Sequence, residues 1–188
     1  MVNTDSTNGA IIRKMIANQM GMTFFGLVVS MAAASSDNPT IMLCASIFAA
    51  LFYMYLLFYL SKEQGRTDKI RIDGGRATVD RWRITKLALI ANSVNIGLAV
   101  ITIITKLIVS IVSNISFFQA APADAKIAPT VAASIFSVCE LIYKLIHSMY
   151  NGILVVTGQN GNPALFLVFI LPSIMACTFG YWYGLKKG

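Results

Sequence analysis

Four long stretches of this chain carry no charge, and polar punctuation separates them. Met15–Ser35, Thr40–Leu60 and Ala164–Tyr183 are bare of ionisable acids and bases, and Leu87–Thr105 is bare until Lys106 closes it. A helix rising ~1.5 Å per residue needs about 20 such residues to cross a ~30 Å hydrocarbon layer. The pattern therefore predicts membrane-crossing helices near residues 15–35, 40–60, 84–106 and 164–183. Ser35-Ser36-Asp37-Asn38-Pro39 joins the first two, and each of these residue types favours a turn. Pro39 suits the first turn of the following helix, so these two spans form an antiparallel hairpin. Pro172 falls inside the last span and is expected to kink it.

A fifth stretch has a different rhythm. Val131, Ile135, Val138, Ile142, Leu145 and Met149 recur at spacings of four and three, while Ser137, Glu140, Lys144, His147 and Asn151 take the opposite side. This predicts an amphipathic helix over 131–150. It can lie in the outer membrane interface, or stand in the bundle with its polar face toward a partner or cavity. Residues 114–130, with Pro122, Asp124, Lys126 and Pro129, and residues 152–163 read as loops.

The main polar insertion follows the second span. Residues 61–86 hold eight Lys or Arg and four acids. Around Asp73-Gly74-Gly75 the pattern alternates, with Lys69-Ile70-Arg71-Ile72 before it and Arg76-Ala77-Thr78-Val79 after it. Alternation about an Asp-Gly pair predicts a small β-hairpin.

Composition fits lipid as the solvent. Of 188 residues, 56% are hydrophobic and 12% charged, where soluble domains carry about 25% charged residues. Short loops rich in Lys and Arg stay in the cytoplasm. The basic loop 61–83, Arg13-Lys14 and Lys186-Lys187 therefore place both termini inside. Crossing at 131–155 as well would make five spans and put Lys186-Lys187 outside. The expected fold is an all-α integral membrane protein in one domain, 1–188. It has about four transmembrane helices with both termini cytoplasmic, one extracytoplasmic amphipathic helix and a small cytoplasmic β-hairpin. The net charge of +7 reads as topology signal and attraction to anionic lipid headgroups, with no nucleic-acid partner.

Candidate chemistry is sparse. Cys44, Cys139 and Cys177 lie singly in apolar stretches, and His147 is the one histidine, so neither a disulfide framework nor a metal site is expected. Glu140, Lys144 and His147 share one helix face. They read either as a relay at membrane depth or as the solvated face of an interfacial helix with an ordinary ion pair. Asn92 and Asn95, almost one turn apart in an apolar run, can bond across helices or line a path. Lys106 reads as a snorkelling ammonium or an interior charge. Together Asn92, Asn95, Lys106, Glu140, Lys144 and His147 are the candidates for a polar path. Lys69, Arg71, Arg76, Arg81, Trp82 and Arg83 are the candidates for lipid or partner contact. Asp73-Gly-Gly-Arg-Ala matches the opening of the CDP-alcohol phosphotransferase signature. The later metal-binding aspartates of that signature fall on Ala91 and Asn95, which removes the reading. No phosphate-loop, dinucleotide, zinc-protease or nucleophile-elbow motif occurs. No cofactor and no enzymatic activity are expected.

Lys69 through Ile90, running into Leu-Ala-Leu-Ile-Ala-Asn, resembles small uncharacterised multi-pass membrane proteins of Gram-positive bacteria. The ending is similar to theirs, with Pro172, Gly180, Tyr181 and Gly184. The resemblance covers about a third of the chain and implies a bacterial plasma-membrane location. Length and hydropathy are also similar to the substrate-binding subunits of energy-coupling-factor vitamin transporters, which usually have six spans. The expected function is a non-catalytic membrane subunit or accessory protein of a larger complex that touches other membrane proteins. The alternative is a transport protein or its substrate-binding subunit.

Overall fold

A computed structural model describes residues 4–78, 80–114, 127–158, 162 and 164–187. The helices are α1 Thr4–Ala34, α2 Pro39–Asp73, α3 Arg83–Ala91, α4 Ser93–Asn114, α5 Ile127–Ile146, α6 Asn151–Val156 and α7 Ala164–Lys187. A 3₁₀ turn at Ser148–Tyr150 links α5 to α6. Among the described residues there is no strand. Among the described residues four helices are long and apolar enough to cross a membrane: α1, α2, α4 and α7. The chain is a multi-pass, all-helical membrane protein.

Its core is mainly apolar, with polar side chains set into it, and its outer surface is apolar where that of a soluble bundle is polar. Phe24, Met31, Phe48, Leu51, Ile104, Leu107, Leu171 and Phe179 are exposed on the outside, whereas Ser46, Ser61, Asn92, Asn95, Thr102, His147 and Ser173 are buried. Lipid solvates the first group, and internal hydrogen bonds must satisfy the second. Thr102 donates to the Leu98 carbonyl at 2.7 Å, Thr105 to Ile101 at 2.8 Å and Ser173 to Ile170 at 2.7 Å.

α2 and α7 run parallel and form the most extensive helix pair. Glycine makes the close approach possible. A Cβ on Gly180 would overlap the Phe58 carbonyl, one on Gly184 the Lys62 carbonyl, and one on Gly65 the Tyr181 carbonyl. Gly180 and Gly184 form a GxxxG pair. The sequence reading takes these glycines only as part of a familiar ending, although their spacing alone signals the contact.

The expected β-hairpin is absent. Residues 69–73 instead form the last turns of α2, whose 35 residues extend about 52 Å at 1.5 Å per residue. Ser61, Gly65 and Asp68 are buried at helical spacing. Lys, Glu, Gln and Arg between them are good helix formers. Packing on that face overrides the short alternation at 69–72. The Asp-Gly-Gly glycines end the helix: the Gly74 N–H caps Ile70, and Gly75 adopts φ +68°, a region that glycine enters without strain.

α5 also departs from the interfacial reading. Val131, Ile135, Val138, Leu141, Ile142 and Leu145 are exposed, while Tyr143 and His147 are buried. The apolar stripe faces outward and the Glu140–His147 side faces the protein. An interfacial helix would show water the reverse. α5 packs on α4, where Ala99 and Tyr143 meet in a small core of their own.

Candidate functional site

The chain turns back between α5 and α6 against α1 and α2. The hydroxyl of Thr23 on α1 lies 3.1 Å from the Ile146 carbonyl and 3.0 Å from its own Gln19 carbonyl. From Thr23 to Ala34, α1 rises about 16 Å, roughly half of a ~30 Å hydrocarbon core. Ile146 thus ends α5 beside the middle of α1. The chain then returns: Ser148 and Met149 lie against Gly26, and Gly152 lies against Met42, three residues after α2 begins. Irregular backbone at such depth requires protein partners, and each comes from a hydroxyl placed in an otherwise apolar span. Ser30 donates to the Ser148 carbonyl at 2.6 Å, and the Gly152 N–H donates to Ser46 Oγ at 2.7 Å. Residues 127–156 form a helical hairpin that turns back beside the middle of α1.

Aromatic rings fill the floor of this hairpin. Tyr143 stacks on His147 at 4.0 Å between centroids, His147 on Tyr150 at 6.2 Å, and Tyr150 on Phe169 of α7 at 4.3 Å. His147 Nδ1 and Tyr150 Oη are buried with no hydrogen-bond partner among the described residues. Buried polar atoms are ordinarily satisfied, and these two are exceptions. Asn92 and Asn95 lie at the joint between α3 and α4. Asn92 Nδ2 takes the Ala88 carbonyl at 2.9 Å, and Asn95 Nδ2 donates to Asn92 Oδ1 at 3.3 Å. A side chain bonded into the helix ladder is a recognised cause of a kink. Asn95 and Ile146 line one cavity of about 380 Å³ with Gln19, Met20 and Thr23.

Of the polar-path candidates, Asn92, Asn95 and His147 are buried around this level. Glu140 and Lys144 form an ion pair at 2.8 Å on the half-buried side of α5. Lys144 lines a separate cavity with Ser30, Met42 and Asn151. Lys106 is exposed on α4. Among the described residues no group of three or more His, Cys, Asp or Glu could hold a metal ion.

The second concentration of function-bearing groups is the end of the molecule where α1 begins, α3 begins and α2 and α7 finish. Arg83 is its clamp. Its Nη1 bonds Asp68 Oδ2 at 2.6 Å, while Nε and Nη2 take Asn8 Oδ1 at 3.0 and 2.7 Å. Asp68 also accepts from Gln64 at 3.1 Å and from the Tyr181 hydroxyl at 3.0 Å, with Arg71 at 3.8 Å. Four helices meet in one network around a carboxylate only 5% exposed. Trp82 meets Trp182 edge-on at 5.6 Å, and Trp182 Nε1 donates to the Arg81 carbonyl at 3.0 Å. Lys62 and Lys187 lie 5.5 and 5.1 Å from the Tyr183 ring.

The six lipid-contact candidates therefore divide. Arg83 and Arg71 hold Asp68, and Trp82 braces Trp182. Lys69 and Arg81 line a surface cavity, and Arg76 is exposed beyond the end of α2. The sequence-derived candidates do not include Asp68, Asn8 or Tyr181, the last read only as part of the chain's ending. Asp68 is one of four acids in a basic stretch, and no local pattern marks it as buried. Comparison of the chain with protein-family models, with curated proteins and with solved structures gives no match.

Proposed function

We propose that this chain is a non-catalytic integral membrane subunit or accessory protein of a larger membrane complex. It sits in a bacterial plasma membrane with both termini and the Arg83 end in the cytoplasm. The supporting observation is the arm formed by α4 and α5. α4 packs chiefly on α5 and only secondarily on α7. The seam is made of Ala99, Thr102, Thr105 and Tyr143, all buried. Outward, the arm shows Ile101, Ile104, Leu107, Ile108 and Ile111 from α4 and Val131, Ile135 and Val138 from α5. Helices associate in lipid through close packing, and a two-helix arm held by one seam offers a long side to a neighbour. Photo-crosslinkers placed at Ile104 and Ile135 in native membranes test this. Adducts to a defined membrane protein, absent from a crosslinker at Phe24, support the subunit reading. A lone monomer in mild detergent with adducts to lipid alone removes it.

A second reading, transport, draws on the unpartnered His147 Nδ1 and Tyr150 Oη at mid-depth. Ionisable groups buried in membranes commonly mark ion or proton routes. Purified protein in liposomes carrying a pH-sensitive dye should then pass protons at a rate that His147→Ala reduces. Liposomes no leakier than empty ones would eliminate this reading.

A further inference from the structure

A groove of about 500 Å³ opens at the Arg83 end, between the last turn of α2, residue 81 and the last turns of α7. Lys69, Arg81 and Lys186 line it against a single acid, Asp73; Ile72, Leu185 and Trp182 supply its apolar wall. We infer that this groove is a headgroup site for an anionic phospholipid of the surrounding leaflet. The inference is independent of the subunit reading.

Four observations converge on a lipid. The first is position. Trp82, Trp182 and Tyr183 are exposed together at this end, with Lys62 and Lys187 against the Tyr183 ring. Exposed Trp and Tyr mark the level of the headgroups, so the groove opens where phosphates lie. The second is charge. Three cations against one anion leave a net charge of +2 in a cavity bounded by protein on several sides. Basic pockets between helices on the cytoplasmic face suit phosphate-bearing headgroups. The third is rigidity. Trp182 is held by its bond to the Arg81 carbonyl and by edge contacts with Trp82 at 5.6 Å and Phe179 at 6.2 Å. A wall fixed before binding costs little to order. The fourth is continuity. Phe179 and Met175, each about one turn farther along the same face of α7, are exposed, so an acyl chain can leave the groove along an apolar track into the bilayer. A free anion has no use for that track.

Helix ends weigh the other way. α2 and α7 both finish here, and helix C-termini carry partial negative charge. Selectivity therefore rests on the three side chains rather than on backbone dipoles, and replacing them should abolish it. A cation near an anionic surface contributes about 1 kcal/mol, a factor of about five in affinity. Loss of all three corresponds to roughly a hundredfold.

The test is native mass spectrometry of the full chain with mixed phosphatidylglycerol and phosphatidylcholine. Wild type should retain phosphatidylglycerol in preference. The triple variant Lys69→Gln/Arg81→Gln/Lys186→Gln should lose that preference, while Lys62→Gln/Lys187→Gln keeps it. Unchanged tryptophan fluorescence shows that both variants are folded. The inference is overturned if wild type shows no preference, or if the Lys62/Lys187 control loses as much as the groove variant. It is also overturned if glycerol phosphate or inorganic phosphate at millimolar concentration displaces the lipid.

Discussion

Replacing Arg83 by glutamine should destabilise the protein more than any other single charge removal. Asp68 would remain buried, 5% exposed, with its closest cationic partner gone. Removing one member of a buried pair costs about 3–5 kcal/mol, because the other charge is left uncompensated. Arg83 is itself 16% exposed, and Arg71, Gln64 and Tyr181 stay near the carboxylate, so the lower end applies, about 3 kcal/mol. Asn8 also loses its two donors, which links α1 to the loss. The protein carries its own reporter, because its two tryptophans, Trp82 and Trp182, meet at this end. Thermal unfolding in mild detergent, followed by their fluorescence, should show the midpoint falling by several degrees in Arg83→Gln. The double variant Asp68→Leu/Arg83→Met should recover most of that loss, since apolar replacement of a whole buried pair is often neutral. If Arg83→Gln melts with wild type, or if the double variant is worse than the single, the network is not what closes this end.

Further outcomes follow from the same geometry. Gly184→Leu should push α7 from α2 and lower stability by about 1–3 kcal/mol as overpacking, read in the same unfolding assay; Gly97→Leu, at a half-buried position where a Cβ meets no atom within 4 Å, should not. Ser46→Ala leaves the buried Gly152 N–H without its acceptor, at about 1–3 kcal/mol, whereas Ser30→Ala removes one of two donors to the Ser148 carbonyl, the Asn151 N–H remaining, and costs less; both should increase hydrogen exchange at 146–152 without changing it at 83–91. The Asp80 carboxyl feels a slight loss of hydration that raises its pKa. The Trp82 N–H at 3.0 Å and the Lys86 ammonium at 3.2 Å outweigh this and hold it below the usual value of 3.8. A depressed folded-state value contributes stability above the unfolded one and loses it as pH falls. Asp80→Asn should therefore be less stable than wild type near neutrality and indistinguishable from it once pH drops below the ordinary carboxylate range.

That four helices are long and apolar enough to cross a membrane was legible because lipid imposes one simple demand, a long uncharged run; the third of them begins at Ser93, past a break at Asn92, rather than at residue 84. What the sequence hid is tertiary. Charge beginning at Lys62 marks where α2 leaves the apolar layer but not where the helix stops, since Gly65 and Asp68 find partners on α7 and α3. The stripe Val131–Leu145 announces an amphipathic helix, yet periodicity is blind to which face turns inward. In water the apolar side goes in; beside α4 in lipid it goes out. Thr23, Ser30 and Ser46 look like neutral small residues in apolar runs. Only the turn at His147–Tyr150, distant in sequence, reveals what their hydroxyls bond. Asn92, Asn95 and His147 were visible because polar groups at membrane depth are costly, whereas the Asp68 network lies in a stretch already crowded with charge.

The most direct test of the fold is thiol accessibility in intact cells, using a variant with Cys44, Cys139 and Cys177 replaced and single cysteines at Asp37, Gly75, His147, Asn162 or Lys187. A membrane-impermeant maleimide should label Asp37→Cys and Asn162→Cys from outside, label Gly75→Cys and Lys187→Cys only after permeabilisation, and leave His147→Cys unreacted on both sides. Labelling of positions 37 and 162 from opposite sides would mean that residues 127–156 cross the membrane instead of turning back within it, and the account would be wrong.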